Sequence, residues 1–207
     1  SFVALLSYSS KESEAATDTT ETIDVTAENF AQAETAWNFT NWARKGSDTE
    51  LVHLRDVAPT GPGAPTVRMN WDTLYSVRIV NVADDKTFTV HLPASDLYMS
   101  AHILDPDGFA PYYRVEKGKD HEVKVNTDYA LIIFRTEILD RKSEESLKIT
   151  HASQDKIKVA GMMDAGYEPP NFDQEQLEKL RKKYKQEFLD SGITLTYAAK
   201  AGDVDQH

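Results

Sequence analysis

The sequence predicts a mainly β protein, an antiparallel β-sandwich of jelly-roll-like type with two to three peripheral α-helices. Short apolar or alternating segments recur at a spacing of roughly ten residues, as strands of such sheets do. Asp, Asn, Gly and Pro separate these segments, and no helical period intervenes, which argues against a βαβ arrangement. The predicted strands are 77–82, 87–92, 98–104, 112–115, 121–125 and 129–136.

A helix is predicted before the strands. Thr26 is a suitable N-cap and Gly46 a suitable end, because a small polar residue begins a helix well and glycine ends one. Phe30, Ala33 and Trp37 recur at helical spacing, and we expect them to form the buried stripe.

Two further helices are predicted after the strands. Ser143 can cap a helix over residues 144–155. Asp173, with a glutamine three residues later, resembles a capping box and opens a helix over about residues 173–191, which Gly192 ends. A short return to the sheet is expected between these two helices, near residues 157–159.

The predicted domain organisation is simple. Residues 1–22 form an extended N-terminal arm, residues 23–200 a single sandwich domain with its helices, and residues 201–207 a polar tail. The arm begins with an apolar run that can add a strand to the open sheet edge of a neighbouring subunit. Its expected assembly residues are Phe2, Val3, Leu5 and Leu6.

Composition narrows the classes of partner. The chain of 207 residues carries a formal net charge of -11 and no cysteine. Such an acidic surface disfavours nucleic acid and anionic membrane surfaces. The missing cysteines exclude disulfides, thiolate metal sites and a cysteine nucleophile. No apolar run is long enough for a transmembrane segment. We interpret the absence of cysteine and the apolar start as favouring an extracytoplasmic location, periplasmic or secreted, of bacterial type.

The densest polar motif lies in residues 67–76. In an extended chain Arg68, Asn70 and Asp72 lie on one side about 7 Å apart, and the apolar residues between them lie on the other. We expect the apolar side, which includes Trp71, to anchor the sandwich.

Four segments together resemble domain-of-unknown-function family 1254. The resemblance covers about residues 23–161 and rests on VRMNWDTLYS, YMSAHILD, ALIIFRT and HASQD, which begin at residues 67, 98, 130 and 151. It implies a β-sandwich with peripheral helices and a mostly bacterial protein with an export signal. Members of this family often continue into a second domain, family 1214, and the resemblance implies no established activity.

The motif supports two kinds of site. In a hydrolase, Asp72 would act as the base or orient a water molecule, with Arg68 and Tyr75 beside it. In a binder of small molecules or carbohydrates, the same residues would form a passive polar pocket with aromatic walls. A structural network of strand-end hydrogen bonds is the alternative to both. The candidate binding residues are Arg68, Asn70, Asp72, Tyr75, His102 and Tyr113.

No metal or other cofactor is predicted. His91, His102 and His121 lie in predicted strands, but the sequence has no His-x-His or His-x-x-x-His pair, so their spacing does not indicate a metal site. His151 and Asp155 are four residues apart on a predicted helix, and we expect them to pair and dock it.

The sequence therefore favours an exported structural or binding module that associates with itself through its arm. The alternatives are an envelope enzyme of hydrolase type and a binder of small molecules or carbohydrates.

Overall fold

The computed structural model describes residues 21–57 and 70–192, and within them the chain forms nine strands and three helices. The strands are β1 (Val52–His53), β2 (Thr73–Val82), β3 (Thr87–Leu92), β4 (Met99–Leu104), β5 (Tyr112–Arg114), β6 (Lys119–Lys124), β7 (Tyr129–Glu137), β8 (Lys158–Ala160) and β9 (Met162–Met163). The helices are α1 (Phe30–Ala43), α2 (Glu144–Gln154) and α3 (Gln174–Ser191).

The strands form two antiparallel sheets, which confirms the predicted sandwich. The larger sheet has the order β1-β2-β7-β4-β5, with β9 also paired to β2, and the smaller has the order β6-β3-β8. The chain passes back and forth between the sheets, as in jelly-roll arrangements. The apolar sides of both sheets face each other and form the main core, whose largest buried side chains include Phe88, Phe134, Met99 and Ile132.

The 67–76 motif is only partly a strand. Strand β2 begins at Thr73, and residues 70–72 form a bend that precedes it. The backbone carbonyl of Asp72 accepts a 2.7 Å hydrogen bond from the amide of Ile138, beyond the end of β7. Trp71 is 55% exposed, so the prediction that it anchors the sandwich is wrong. The alternation in the sequence begins several residues before the strand does.

The start of α1 also differs from the prediction. Its N-cap is Asn29, whose side chain accepts a 2.8 Å hydrogen bond from the amide of Thr26, so Thr26 lies in a preceding turn. The buried face contains Ala33, Ala36 and Phe39, whereas Trp37 is 40% exposed. The helix therefore packs on two neighbours at once, through its alanines against α3 and through Phe39 against the large sheet.

The N-cap residues of the other two helices are those that the sequence predicts. Ser143 accepts a hydrogen bond from the amide of Ser146 at the start of α2. Asp173 accepts hydrogen bonds from the amides of Glu175 and Gln176 at the start of α3. The predicted capping box at Asp173 does not form, because the side-chain oxygen of Gln176 accepts from the amide of Val25 and the amide of Asp173 donates to the carbonyl of Ile23. Gly192 ends α3 with φ of 63°, a left-handed conformation that glycine adopts without strain.

Helix α2 docks through Arg55 rather than through a pair of its own residues. His151 donates from Nε2 to the backbone carbonyl of Arg55 at 2.9 Å, and the guanidinium of Arg55 forms an ion pair with Asp155. The predicted bond between His151 and Asp155 is therefore wrong in its partner, because Arg55 lies between them. The fully buried amide of Gln154 completes the docking by donating to the carbonyl of Tyr75 and the hydroxyl of Ser76.

None of the described helices combines the length and the apolar composition that crossing a membrane requires.

Candidate functional site

The side of the large sheet that faces away from the sandwich core carries a concentrated polar surface. Strand register places Tyr75, Arg135 and Ser100 side by side across β2, β7 and β4. His102 and Tyr113 lie two positions further along β4 and on the adjoining β5. Side chains two residues apart on a strand face the same way, so all five share this side, which we call the outer face.

Half of the outer face is apolar and covered. Val77, Ile79 and Leu131 are buried there against Phe39 of α1 and Tyr167. The polar half lies beyond this contact, toward the ends of β2 and β7 where Thr73 pairs with Glu137. The division shows that α1 accounts for the apolar residues of the face but not for its polar ones.

Arg135 is the cation of the polar half. Its guanidinium lies 5.7 Å from the centroid of the Tyr75 ring, and its buried Nε has no hydrogen-bond partner. Within the described part of the chain Arg135 forms no ion pair. The carboxylate of Glu137, on the same side of β7, instead accepts a 2.8 Å hydrogen bond from the amide of Tyr98. Arg135 therefore keeps its guanidinium donors for another group.

Two buried hydroxyls beside Arg135 also have no partner. Ser100 is completely buried and Thr73 is 8% exposed, and the side-chain oxygen of each lacks a hydrogen bond. Burial of a hydroxyl without a partner costs about 1–3 kcal/mol. Ser76 provides a contrast on the other side of β2, because its hydroxyl bonds to both His53 and Gln154. The polar half of the outer face thus holds three unpartnered polar atoms.

Two tyrosines form the rim of this surface. The hydroxyls of Tyr98 and Tyr113 are hydrogen bonded to each other, and the two residues are 41% and 50% exposed. Burial and this hydrogen bond raise the pKa of Tyr98, whereas the same bond lowers the pKa of Tyr113. Either hydroxyl can be the donor of this pair. The hydroxyl of Ser100 lies close enough to both phenols to lower the pKa of each. No hydrogen bond of normal geometry forms between them.

His102 lies beside the rim as a neutral group. Its ring packs edge-on against Tyr113 with the centroids 5.9 Å apart. Burial, and then the positive charge of Arg135, lowers the pKa of His102 below the ordinary value of a histidine. At neutral pH the imidazole therefore offers one donor and one acceptor without charge.

This arrangement suits recognition of an anion with a flat, polar body. Arg135 supplies a fork of donors that matches a carboxylate. Ser100 and Thr73 supply hydroxyls next to it, and the aromatic rings of the rim can flank a ligand. Across the described ranges no group of three or more His, Asp or Glu side chains is placed to hold a metal ion.

The structure places three of the sequence-predicted residues together. Tyr75, His102 and Tyr113 lie on the outer face, although they come from three strands. Asp72 is exposed and precedes β2, and Asn70 is half-buried in the same bend. Within the described residues the side chain of Asp72 has no hydrogen bond. No group of the outer face is therefore paired with the carboxylate that was predicted to act as a base.

Five predicted residues lie outside the described ranges. They are Arg68 of the polar motif and the assembly residues Phe2, Val3, Leu5 and Leu6.

Sequence reasoning missed Arg135, Ser100 and Thr73 as site residues, whereas Tyr98 is among the aromatic residues that it considers for a pocket. Arg135 could have been found, because it interrupts an apolar strand from Tyr129 to Phe134 with a charge that burial disfavours. Ser100 could not, since a serine within a strand gives no indication of whether its hydroxyl has a partner.

Comparisons with known proteins add little to this geometry. No protein-family model matches the chain, and no curated protein matches it. Among solved structures, the VPA0106 protein from Vibrio parahaemolyticus is similar over 83% of this chain, with 14% sequence identity and a TM-score of 0.49. This chain spans about half of that protein, since the match covers 51% of its length. A likeness this distant identifies neither a family nor a function.

Proposed function

We propose that this protein binds a small molecule through a carboxylate or a similar planar anion, held at Arg135 on the outer face. The observation that carries the proposal is the group of unpartnered polar atoms there, namely Arg135 Nε, Ser100 Oγ and Thr73 Oγ1. Buried polar groups in folded proteins nearly always have partners, so a cluster without them needs an explanation. A ligand that accepts from the guanidinium and bonds to both hydroxyls provides one.

The charge balance of the outer face supports an anionic ligand. Within the described residues Arg135 forms no ion pair, so no carboxylate there neutralises its positive charge. The surrounding groups are hydroxyls, phenols and the neutral imidazole of His102, which donate hydrogen bonds without opposing a negative ligand. Glu137 is engaged by the amide of Tyr98, which directs its carboxylate to the strand end.

Binding fits the arrangement better than hydrolysis does. Hydrolysis needs a base within about 3 Å of a nucleophile or a held water. Asp72, the base that the sequence suggested, is exposed in the bend before β2. Its backbone carbonyl closes the sheet end against Ile138, a structural task that requires no carboxylate.

The wider assignment follows the sequence. We propose an extracytoplasmic protein related to family 1254, on the strength of the four matching segments. Self-association through residues 1–22 stays a prediction, because its assembly residues precede the described part of the chain.

Titration with simple ring carboxylates tests the proposed site. Benzoate and 4-hydroxybenzoate serve as probes, and benzamide serves as the neutral isostere, with binding followed by calorimetry and by amide chemical shifts. The carboxylates are expected to shift amides of β2, β4 and β7, whereas benzamide binds more weakly.

The variant Arg135→Gln should weaken carboxylate binding about 10- to 100-fold. This is the loss in affinity that corresponds to the free energy of one hydrogen bond to a charged group. Arg141→Gln is the matched control, because Arg141 also lies over an aromatic ring, that of Trp71, at 4.9 Å and belongs to none of the strands that form the outer face. Equal affinities of the two variants, or preference for benzamide, would contradict the proposal.

A further inference from the structure

A second concave surface lies on the other side of α1. It is an open groove of about 1450 Å³ between α1, the start of α3 and residues 167–172. We call it the helix groove. Its walls include Trp37, Tyr129 and Pro170, none of which belongs to the polar half of the outer face. The volume exceeds the roughly 300–1000 Å³ of ordinary small-molecule pockets, so the groove has room for a ligand of several rings.

The helix groove offers flat apolar surfaces along its length. Trp37 is 40% exposed there, and the guanidinium of Arg181 lies over its ring at 4.9 Å. Tyr129 and Tyr167 meet edge-to-face with their centroids 4.9 Å apart, which fixes the orientation of both rings. Pro169 and Pro170 add rigid apolar rings on the same wall. Such surfaces match the apolar faces of pyranose rings.

Neutral polar groups lie between these rings. Gln32 contributes a buried side-chain oxygen that has no hydrogen-bond partner. The hydroxyl of Thr40 donates to the carbonyl of Ala36 at 2.8 Å, which leaves its oxygen lone pairs as acceptors. Gln32 therefore offers an acceptor without a partner and Thr40 an acceptor with free lone pairs, and the hydroxyls of a sugar are donors as well as acceptors.

The charges that line the helix groove do not select an ion. Arg44 is the cation and Asp107 and Glu168 are the anions, so the described lining has one positive and two negative side chains and a net charge of -1. A groove for a phosphate or a polyanion would show a strong excess of positive charge. Here the polar contacts are mixed, which fits a ligand without charge.

From the exposed rings, the acceptors and the near balance of charge, we infer that the helix groove binds a neutral oligosaccharide. The rings of the ligand lie on Trp37 and on the tyrosine and proline wall, and its hydroxyls donate to Gln32 and Thr40. This site is separate from the proposed anion site and does not depend on it.

The test uses the full chain and three defined probes: cellopentaose, maltopentaose and chitopentaose. Binding is followed by tryptophan emission and by calorimetry up to about 10 mM, the range of weak single-site binding. At least one probe is expected to change the emission and to bind more tightly than its monosaccharide. No binding of any probe over this range overturns the inference.

Two tryptophan variants localise the site. Trp37→Ala should weaken binding by about tenfold or more, because it removes the exposed platform. Trp71→Ala is the matched control, since each ring is exposed and lies 4.9 Å from an arginine, Arg181 or Arg141. Equal loss in both variants, or none in either, overturns the inference.

A third variant guards against misfolding of Trp37→Ala, because Arg181 also joins α3 to Glu34 of α1. Gln32→Leu removes the unpartnered oxygen without touching that ion pair. It should leave the melting temperature unchanged or higher and weaken the best probe several-fold. Unchanged affinity in Gln32→Leu overturns the assigned role of the groove acceptors.

Discussion

Replacement of Ser100 by alanine is expected to stabilise the protein while it impairs ligand binding. Ser100 is completely buried and its hydroxyl has no hydrogen-bond partner. The unsatisfied hydroxyl costs about 1–3 kcal/mol in the free protein. Removal of one oxygen leaves little empty space, so most of that cost is recovered. We expect Ser100→Ala to raise the free energy of unfolding by about 1 kcal/mol.

Ser76→Ala is the matched control for this substitution. Ser76 is also completely buried, and it lies on β2 of the same sheet with its side chain on the opposite side. Its hydroxyl bonds to His53 Nδ1 at 2.7 Å and to Gln154 Nε2 at 3.1 Å. The loss of these bonds should lower the free energy of unfolding by about 1–2 kcal/mol. The same chemical change thus has opposite signs at two equally buried sites.

Urea denaturation of the ligand-free protein measures both effects, supported by thermal melts. A change of 1 kcal/mol corresponds to about 2–4 °C in melting temperature for a domain of this size. Ser100→Ala should also reduce the stabilisation that 4-hydroxybenzoate confers on the wild type. Destabilisation by Ser100→Ala equal to that of Ser76→Ala would show that the Ser100 hydroxyl has a partner, and would remove the main support for the anion site.

Three further predictions concern docking, pH and assembly. Gln154→Met should lower the free energy of unfolding in urea denaturation, because the hydrogen bonds to Tyr75 and Ser76 are lost. The loss should be limited to about 2 kcal/mol, because those neighbours keep other partners. The exposed Gln186→Met should change the free energy of unfolding by less than about 0.5 kcal/mol. Burial, and then the charge of Arg55, lowers the pKa of His53 in the folded protein, and Asp155 opposes this shift. The unfolded chain therefore takes up the proton first as the pH falls. The free energy of unfolding should fall as the pH drops below about 6.5, the ordinary pKa of histidine. His53→Asn should reduce that fall between about pH 7 and pH 5, and an unchanged pH profile would contradict the assignment. Deletion of residues 1–22 should convert an assembled protein to a smaller species in sedimentation, and an unchanged mass would count against assembly through the arm.

The fold could be predicted from local patterns because sandwich strands report their burial directly. Alternation marks the strand from Thr87 to Leu92, whose side chains alternate between buried and half-buried. The caps at Ser143 and Asp173 act within one turn of their helices, so they are visible in a few residues of sequence. The start of α1 was misplaced because the side chain of Asn29 reaches back to Thr26 and forms a turn there.

The site was only half visible in the sequence because it depends on register. Tyr75, His102 and Tyr113 stand out as polar aromatic residues within predicted strands. Their contact with Arg135 follows from the pairing of β2, β7 and β4, which sequence periodicity does not specify. Motif density pointed to Asp72, whereas the structure points to residues that lack partners, a property that appears only once the neighbours of each side chain are known.

Helix α1 separates the two proposed sites. Its position also determines which part of the outer face is covered and which residues remain exposed in the helix groove. Phe39 covers the apolar half of the outer face, so the sheet needs no further cover there for its stability. Trp37, two residues earlier, points away from that contact and remains exposed in the helix groove. The outer face could carry apolar residues at Ser100 and Thr73 without loss of fold, so packing does not require their hydroxyls, whereas the proposed ligand does. The two sites share no lining residue. Arg135→Gln should therefore leave the affinity for oligosaccharides unchanged, and Trp37→Ala should leave the affinity for carboxylates unchanged.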